Sequence, residues 1–205
     1  MYGLPISTEI KKQLPKRAIY KKFELKLSQR ESFDSDIARL DIVAVISTAT
    51  LPTLAVGEHI KEFYIVAVQM KRKQYDAKNI VLLTKLIPQK MVLALQYENE
   101  VQFAVFHTRL ITSSWQFAKD AMLPLMGLNV DVVWENIVKG IGQINIEGEN
   151  TLAEQIVANE QRSKILSQIA SIERKIAAEK QPRKKIEYFE MIKDLKNRYN
   201  GKDKD

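Results

Sequence analysis

Cysteine is absent from all 205 residues. That excludes disulfides, thiolate nucleophiles and cysteine-held zinc or iron–sulfur sites, and it fits an expected cytoplasmic setting. Histidine is nearly as scarce. His59 precedes a predicted strand and His107 ends another, with no second ligand at metal spacing. No metal and no cofactor are therefore expected. The seven glycines form no phosphate-cradling loop, since Gly140-Ile141-Gly142 closes a predicted helix instead of opening one. Ser113-Ser114 has no histidine near it and sits beside Trp115, which argues against a nucleophile. No apolar run approaches the roughly 18 residues that cross a bilayer. The first thirty residues are rich in lysine and carry no apolar signal core, so neither a membrane partner nor a secretory signal is expected.

What is present suits a folded core. Hydrophobic residues make up 45% of the chain and charged residues 28%, both ordinary for a globular protein. The net charge of +7 is unevenly spread. Residues 1–30 hold 8 Lys and Arg against 2 Asp and Glu, residues 31–150 hold 11 against 14, and residues 151–205 hold 13 against 9. Basic ends thus flank a mildly acidic middle.

The pattern along the chain predicts α+β. Ser7 or Thr8 caps an expected short helix through Leu14, stopped by Pro15. Ser28 and Glu31 form an expected capping box for a helix that faces Phe33, Ile37 and Leu40 inward. Asp41–Ile46 reads as a strand, and residues 47–57 as a loop. The strongest strand is Ile60–Met70, apolar on both faces and so expected at the centre of a sheet. A helix follows over Tyr75–Ile87, ended by Pro88. Met91–Tyr97 and Val101–His107 form a hairpin, and Leu110–Phe117 adds strand. Leu128–Ile141 reads as a helix with Val132, Ile137 and Ile141 in the core. The expected sheet is small, mixed and mostly antiparallel, and is covered by helices.

The end of the chain has the sharpest periodicity. After Gly148-Glu149-Asn150, Thr151 and Glu154 form a capping box that opens a long helical stretch. Ile165, Ile169, Ile172 and Ile176, then Tyr188, Ile192, Leu195 and Tyr199, repeat at spacings of four and three on either side of Pro182. That is the seam of two coiled-coil-like helices, able to fold on each other or to dock a partner protein or a second copy; docking is the favoured expectation. The expected organisation is an α+β domain over residues 1–147, a helical arm over 151–200 broken at Pro182, and a disordered tail over 201–205.

Two groups are candidates for chemistry. Lys11, Lys12, Lys16, Arg17, Lys21 and Lys22 interleave with Ile19, Tyr20 and Phe23, and Lys180, Arg183, Lys184 and Lys185 cluster at the arm's elbow. Such cations suit nonspecific DNA contacts or an acidic partner. Gln69-Met70-Lys71 at the end of the best strand loosely resembles the metal-nuclease pattern PD-(D/E)xK, with Glu58, Glu62 or Asp41 supplying the further carboxylate. No catalytic residue is expected beyond Gln69 and Lys71, the weak candidates of that alternative.

Several blocks resemble a known bacterial family. MYGLPISTEIKKQLPKRAIYKKF at the start is similar to members of domain of unknown function 4391. So are YDAKNIVLLTKLIPQKMVLALQYENEVQFAVFHT, TSSWQ, PLMGLNVDVVWENIV and AEKQPRKKIEYFEMIKDLK. The resemblance carries no chemistry to transfer. It implies an accessory role beside DNA methyltransferases and helicases of restriction or phage-defence systems, and it supplies no catalytic residues.

Overall fold

The computed structural model describes residues 1–201. The expected disordered tail lies, beyond Gly201, outside the described residues. The chain divides into two compact units, Met1–Asn145 and a second from Ile146 onward.

The first unit is α+β. Its open sheet runs β1 (Glu9–Gln13), β2 (Ile37–Ser47), β3 (Glu62–Met70), β4 (Lys90–Tyr97), β5 (Glu100–Phe106) and β6 (Leu110–Thr112), with β7 (Gln116–Phe117) also on β5. Every pairing is antiparallel except β3 with β4. That parallel pair needs a crossover, supplied by α3 (Ala77–Thr84). β3 is central as expected, because Phe63, Ile65, Val66 and Val68 leave neither face fit for water.

One face of the sheet presents Leu40, Ile42, Val66, Val68, Met70, Leu93 and Leu95. These pack with Ile19 of α1 (Lys16–Lys22), Phe33 of α2 (Leu27–Asp36), and Ile80 and Leu83 of α3. Each side chain fully buried there contributes roughly 1.5–3 kcal/mol. On the opposite face Phe63 meets Trp134 of α4 (Val130–Gly142), edge to face at 5.3 Å. Asp131 in the first turn of α4 accepts backbone N–H bonds from Glu58, His59 and Ile60 at 2.7, 3.1 and 2.7 Å. Those bonds pin the long loop to α4, and Gly57 makes the approach possible. A Cβ there would lie 2.4 Å from the Ile60 carbonyl and 2.6 Å from the Asp131 carboxylate.

Several expected elements differ. Glu9–Gln13 is an edge strand, preceded by a 3₁₀ turn at Ile6–Thr8, and not a helix. Its backbone pairs with Asp41, Ile42 and Ala44 of β2, a long-range partner that overrides local propensity. Helix α2 begins one residue before Ser28, and the Gln29 side chain, not Glu31, accepts the Lys26 backbone N–H. Ile37 and Leu40 are strand residues of β2. Ile137 and Ile141 are core positions of α4 as expected, but Val132 is 40% exposed, and the other core positions are Val130, Val133, Trp134 and Val138. The left-handed residue that ends α4 is Gln143, not a glycine.

The second unit is an αα-hairpin of α5 (Leu152–Ala178) and α6 (Pro182–Gly201). Thr151 and Glu154 cap α5 reciprocally, as their spacing predicts. Pro182 occupies the first position of α6, where its missing N–H costs nothing.

Candidate functional site

The arm's seam closes on itself. Ile169, Ile172 and Ile192 are buried together, with Ile165, Ile176, Tyr188 and Leu195 packed around them. Tyr199 is half-buried outside that cluster. The eight seam residues were assigned from periodicity to partner docking, but seven of them are occupied by contacts within the hairpin.

The surface the arm leaves open lies elsewhere. At about 100° per residue, Phe189 and Ile186 sit on one shoulder of α6 and Leu166 on the matching shoulder of α5. All three are exposed, at 56%, 60% and 51%. Ala170 and Ala177 are exposed on the same side of α5, with Glu173 between them in the chain. Lys185, Lys193 and Lys196 fringe these side chains, with Glu173 on α5 and Glu190 one turn from Ile186 as the acids nearby. The hairpin's other shoulder holds a cleft lined by Gln168, Ser171, Lys175, Met191, Asp194 and Arg198. Sequence reading missed the first shoulder, although the three-residue step from Ile186 to Phe189 beside the seam was a signal for it.

At the elbow Lys180, Arg183 and Lys184 are exposed and Lys185 is half-buried. Three of these cations crowd the positive end of the α6 dipole, an unfavourable placement. Glu179 offsets part of it. Its carboxyl is held below the usual range by N–H bonds from Gln181 and Lys180 and by the charges of Lys184 and Lys185.

The N-terminal cations separate into two kinds. Lys16 is structural: its ammonium ion-pairs with Asp34 at 2.6 Å, donates to the Ile37 carbonyl, and lies 6.0 Å from the Phe33 ring centre. Tyr20 donates to the same carboxylate at 2.5 Å and has its own pKa raised, by burial first and then by Asp34. Lys22 donates to the Leu86 carbonyl, tying the end of α1 to the segment after α3. Arg17, Lys21, Lys11 and Lys12 face solvent, the last two on edge strand β1.

The nuclease pattern does not assemble. Gln69 is exposed on β3 between Arg39 and Gln96. Lys71 lies near enough to Asp34 to help hold that carboxyl down. Glu62 begins the strand that Gln69 nearly ends, about 23 Å away at 3.3 Å per residue, and it accepts the Tyr64 hydroxyl. Glu58 belongs to the loop pinned by Asp131. Asp41 alone is within reach, opposite Ala67, and Arg39 grips it with two bonds of 2.7 and 2.9 Å. A neutral amide and one neutralised carboxylate make a poor Mg²⁺ site. Among the described residues no three His, Asp or Glu side chains are grouped to hold a metal. Incubation with DNA or RNA and Mg²⁺ or Mn²⁺ is expected to give no cleavage above background. Cleavage that vanishes in Lys71→Ala would contradict this.

His107 has its pKa lowered by burial and by Lys90, against the opposing charge of Glu135. The Ser113 hydroxyl accepts the Phe103 N–H and donates to the Ser114 carbonyl. A second exposed apolar group, Val56, Met126, Leu128 and Val132, surrounds the start of α4.

No helix among the described residues is long and apolar enough to cross a membrane. None of the curated proteins and none of the solved structures compared with the chain matches it. A family model described as Domain of unknown function (DUF4391) matches residues 2–198, nearly the whole length, and the chain belongs to that family.

Proposed function

We propose that this protein is a non-catalytic accessory protein that docks a partner on the exposed shoulder of its helical arm. The carrying observation is that Leu166, Ile186 and Phe189 stay exposed on one face of a hairpin whose own seam is already closed. A two-helix hairpin with three buried isoleucines is thin, and a third helix laid on that shoulder would complete a bundle. The fringe of Lys185, Lys193 and Lys196 selects an amphipathic helix with acidic flanks. A second copy of the arm would bring like charge against like charge. The family's setting, implied by resemblance, makes a DNA methyltransferase or a helicase of a bacterial modification or phage-defence complex the expected owner of that helix.

The test is co-purification from native host cells, with captured proteins identified by mass spectrometry. The unmodified chain is expected to retain a methyltransferase or helicase. Ile186→Ser with Phe189→Ser is expected to lose it with helical content unchanged, since both side chains already meet water. Retention by the double variant would refute this docking face.

A further inference from the structure

The three helices over one sheet face sort their charges in a way the sequence does not show. Of the acids on and beside them, Asp34, Asp36 and Asp76 turn inward or are spent, while Glu24 and Glu31 stay exposed. Asp34 is taken by Lys16 and Tyr20. Asp36, fully buried, is taken by Arg72, Asn79 and the Asp76 N–H. Asp76 itself caps α3 by accepting the Lys78 N–H. The bases turn outward. With Ile19 buried, Arg17 and Lys21 fall on the opposite side of α1. With Ile80 and Leu83 buried, Lys78 and Lys85 fall on the opposite side of α3. Both helices pack on the same sheet face, so these four cations point away from it together. Lys26 and the exposed end of Arg30, whose Nε donates to the Leu25 carbonyl, add to the same exposed layer, against Glu24 and Glu31, while the Lys22 ammonium is already held by the Leu86 carbonyl. Among the described residues, Arg17, Lys21, Lys26, Lys78 and Lys85 form no ion pair.

Between α2 and α3 runs a cleft of about 310 Å³, with Ser28, Gln29, Ser32 and Lys78 in its lining beside the acid Asp76 and the apolar Leu25 and Leu82. The Ser28 and Ser32 hydroxyls and the exposed Gln29 amide, beside Lys78, suit sugar and phosphate oxygens. A protein partner or a membrane would call for aromatic anchors, and no exposed aromatic side chain lies on this layer.

We infer that this layer is a second binding surface, separate from the arm, and that its ligand is the phosphate backbone of duplex DNA. Binding is independent of sequence, because phosphate contacts carry no base information. Lys78 and Lys85, sixty residues beyond the basic N-terminal group in the chain, are as much part of it as Arg17 and Lys21.

The experiment is fluorescence anisotropy of the full chain with two labelled duplexes of unrelated sequence, over a range of salt. With four phosphates neutralised at once, log K against log salt should slope by about −3 to −4, equally for both duplexes. Lys78→Ala with Lys85→Ala should make that slope shallower by about 2. Arg183, Lys184 and Lys185 changed together to Ala should leave it unmoved. All five residues are exposed or half-buried, and an unshifted thermal midpoint checks that each variant is folded. Any one of four results overturns the inference: no binding at low salt; a slope that Lys78 and Lys85 do not move; dependence on the elbow cations alone; or competition by polyglutamate as effective as by unlabelled duplex, which would assign the surface to an acidic protein.

Discussion

Asp36→Ala is expected to cost about 2–4 kcal/mol, because the Asn79 amide and the Asp76 N–H lose their acceptor at about 1–3 kcal/mol each, while Arg72, 53% exposed, stays hydrated. Asp36 has no solvent exposure. It accepts bonds from Arg72 Nε at 2.6 Å, Asn79 Nδ2 at 2.7 Å and the Asp76 N–H at 2.9 Å. It therefore joins the end of α2 to the start of α3, where β3 hands the chain to its crossover. Without it a guanidinium, an amide and a backbone N–H lose their acceptor at once. Against a total stability of roughly 5–15 kcal/mol, the melting midpoint should fall by roughly 4–16 °C. Asp36→Asn, which keeps one acceptor oxygen, should fall less. An unchanged midpoint in Asp36→Ala would show that the network adds nothing.

The same carboxylate sets the acid limit. Burial alone would raise its pKa, but the bonds from the Asp76 N–H, Asn79 and Arg72 outweigh burial and hold it low. Asp131 is likewise held low, by the N–H groups of His59, Ile60 and Glu58. A folded pKa below the unfolded value near 4 stabilises the fold fully above that pH. The contribution is lost as pH falls through the lower, folded values. Unfolding midpoints should therefore drop with acidification below about pH 4 in the unmodified protein, and drop less steeply in Asp36→Ala.

Ile169→Lys with Ile172→Lys is expected to unfold the arm, not merely to weaken docking. Both side chains are 7% exposed and meet Ile192 across the hairpin. Truncating one such residue to Ala costs about 2–5 kcal/mol, and a buried ammonium costs more. Helices α5 and α6 hold 27 and 20 residues, against 7, 10, 8 and 13 in the other four. Loss of the arm should thus lower the far-ultraviolet helical signal by more than any other pair of helices could. An unchanged signal would mean the seam is not what holds α5 and α6 together.

Where each element's signal was local, the sequence showed it. The two apolar faces of β3 placed it at the centre of the sheet, and Thr151 with Glu154 marked the start of α5 within one residue. The seam of the arm was legible residue by residue, but periodicity cannot say whether the facing surface belongs to the same chain, and here most of it does. Glu9–Gln13 was misread because a lysine-rich edge strand has no helix or strand period of its own and takes its form from β2. Val132 and Val133 are neighbours that a wheel offset by one residue exchanges. The Asp36 network was not legible, because Asp36 meets residues 36 to 43 positions away. The outward-facing lysines of α3 were missed for the same reason: only the fold places them beside α1.

The docking shoulder is tested most directly by site-specific photocrosslinking in native host cells. A photoreactive side chain would replace Phe189, Gln168 on the other shoulder, or Leu128 at the start of α4. The account predicts an adduct from position 189 to a methyltransferase or helicase, and none to that protein from positions 168 or 128. An adduct from 189 only to a second copy of the chain, or partner adducts from 168 or 128 but not from 189, would contradict it.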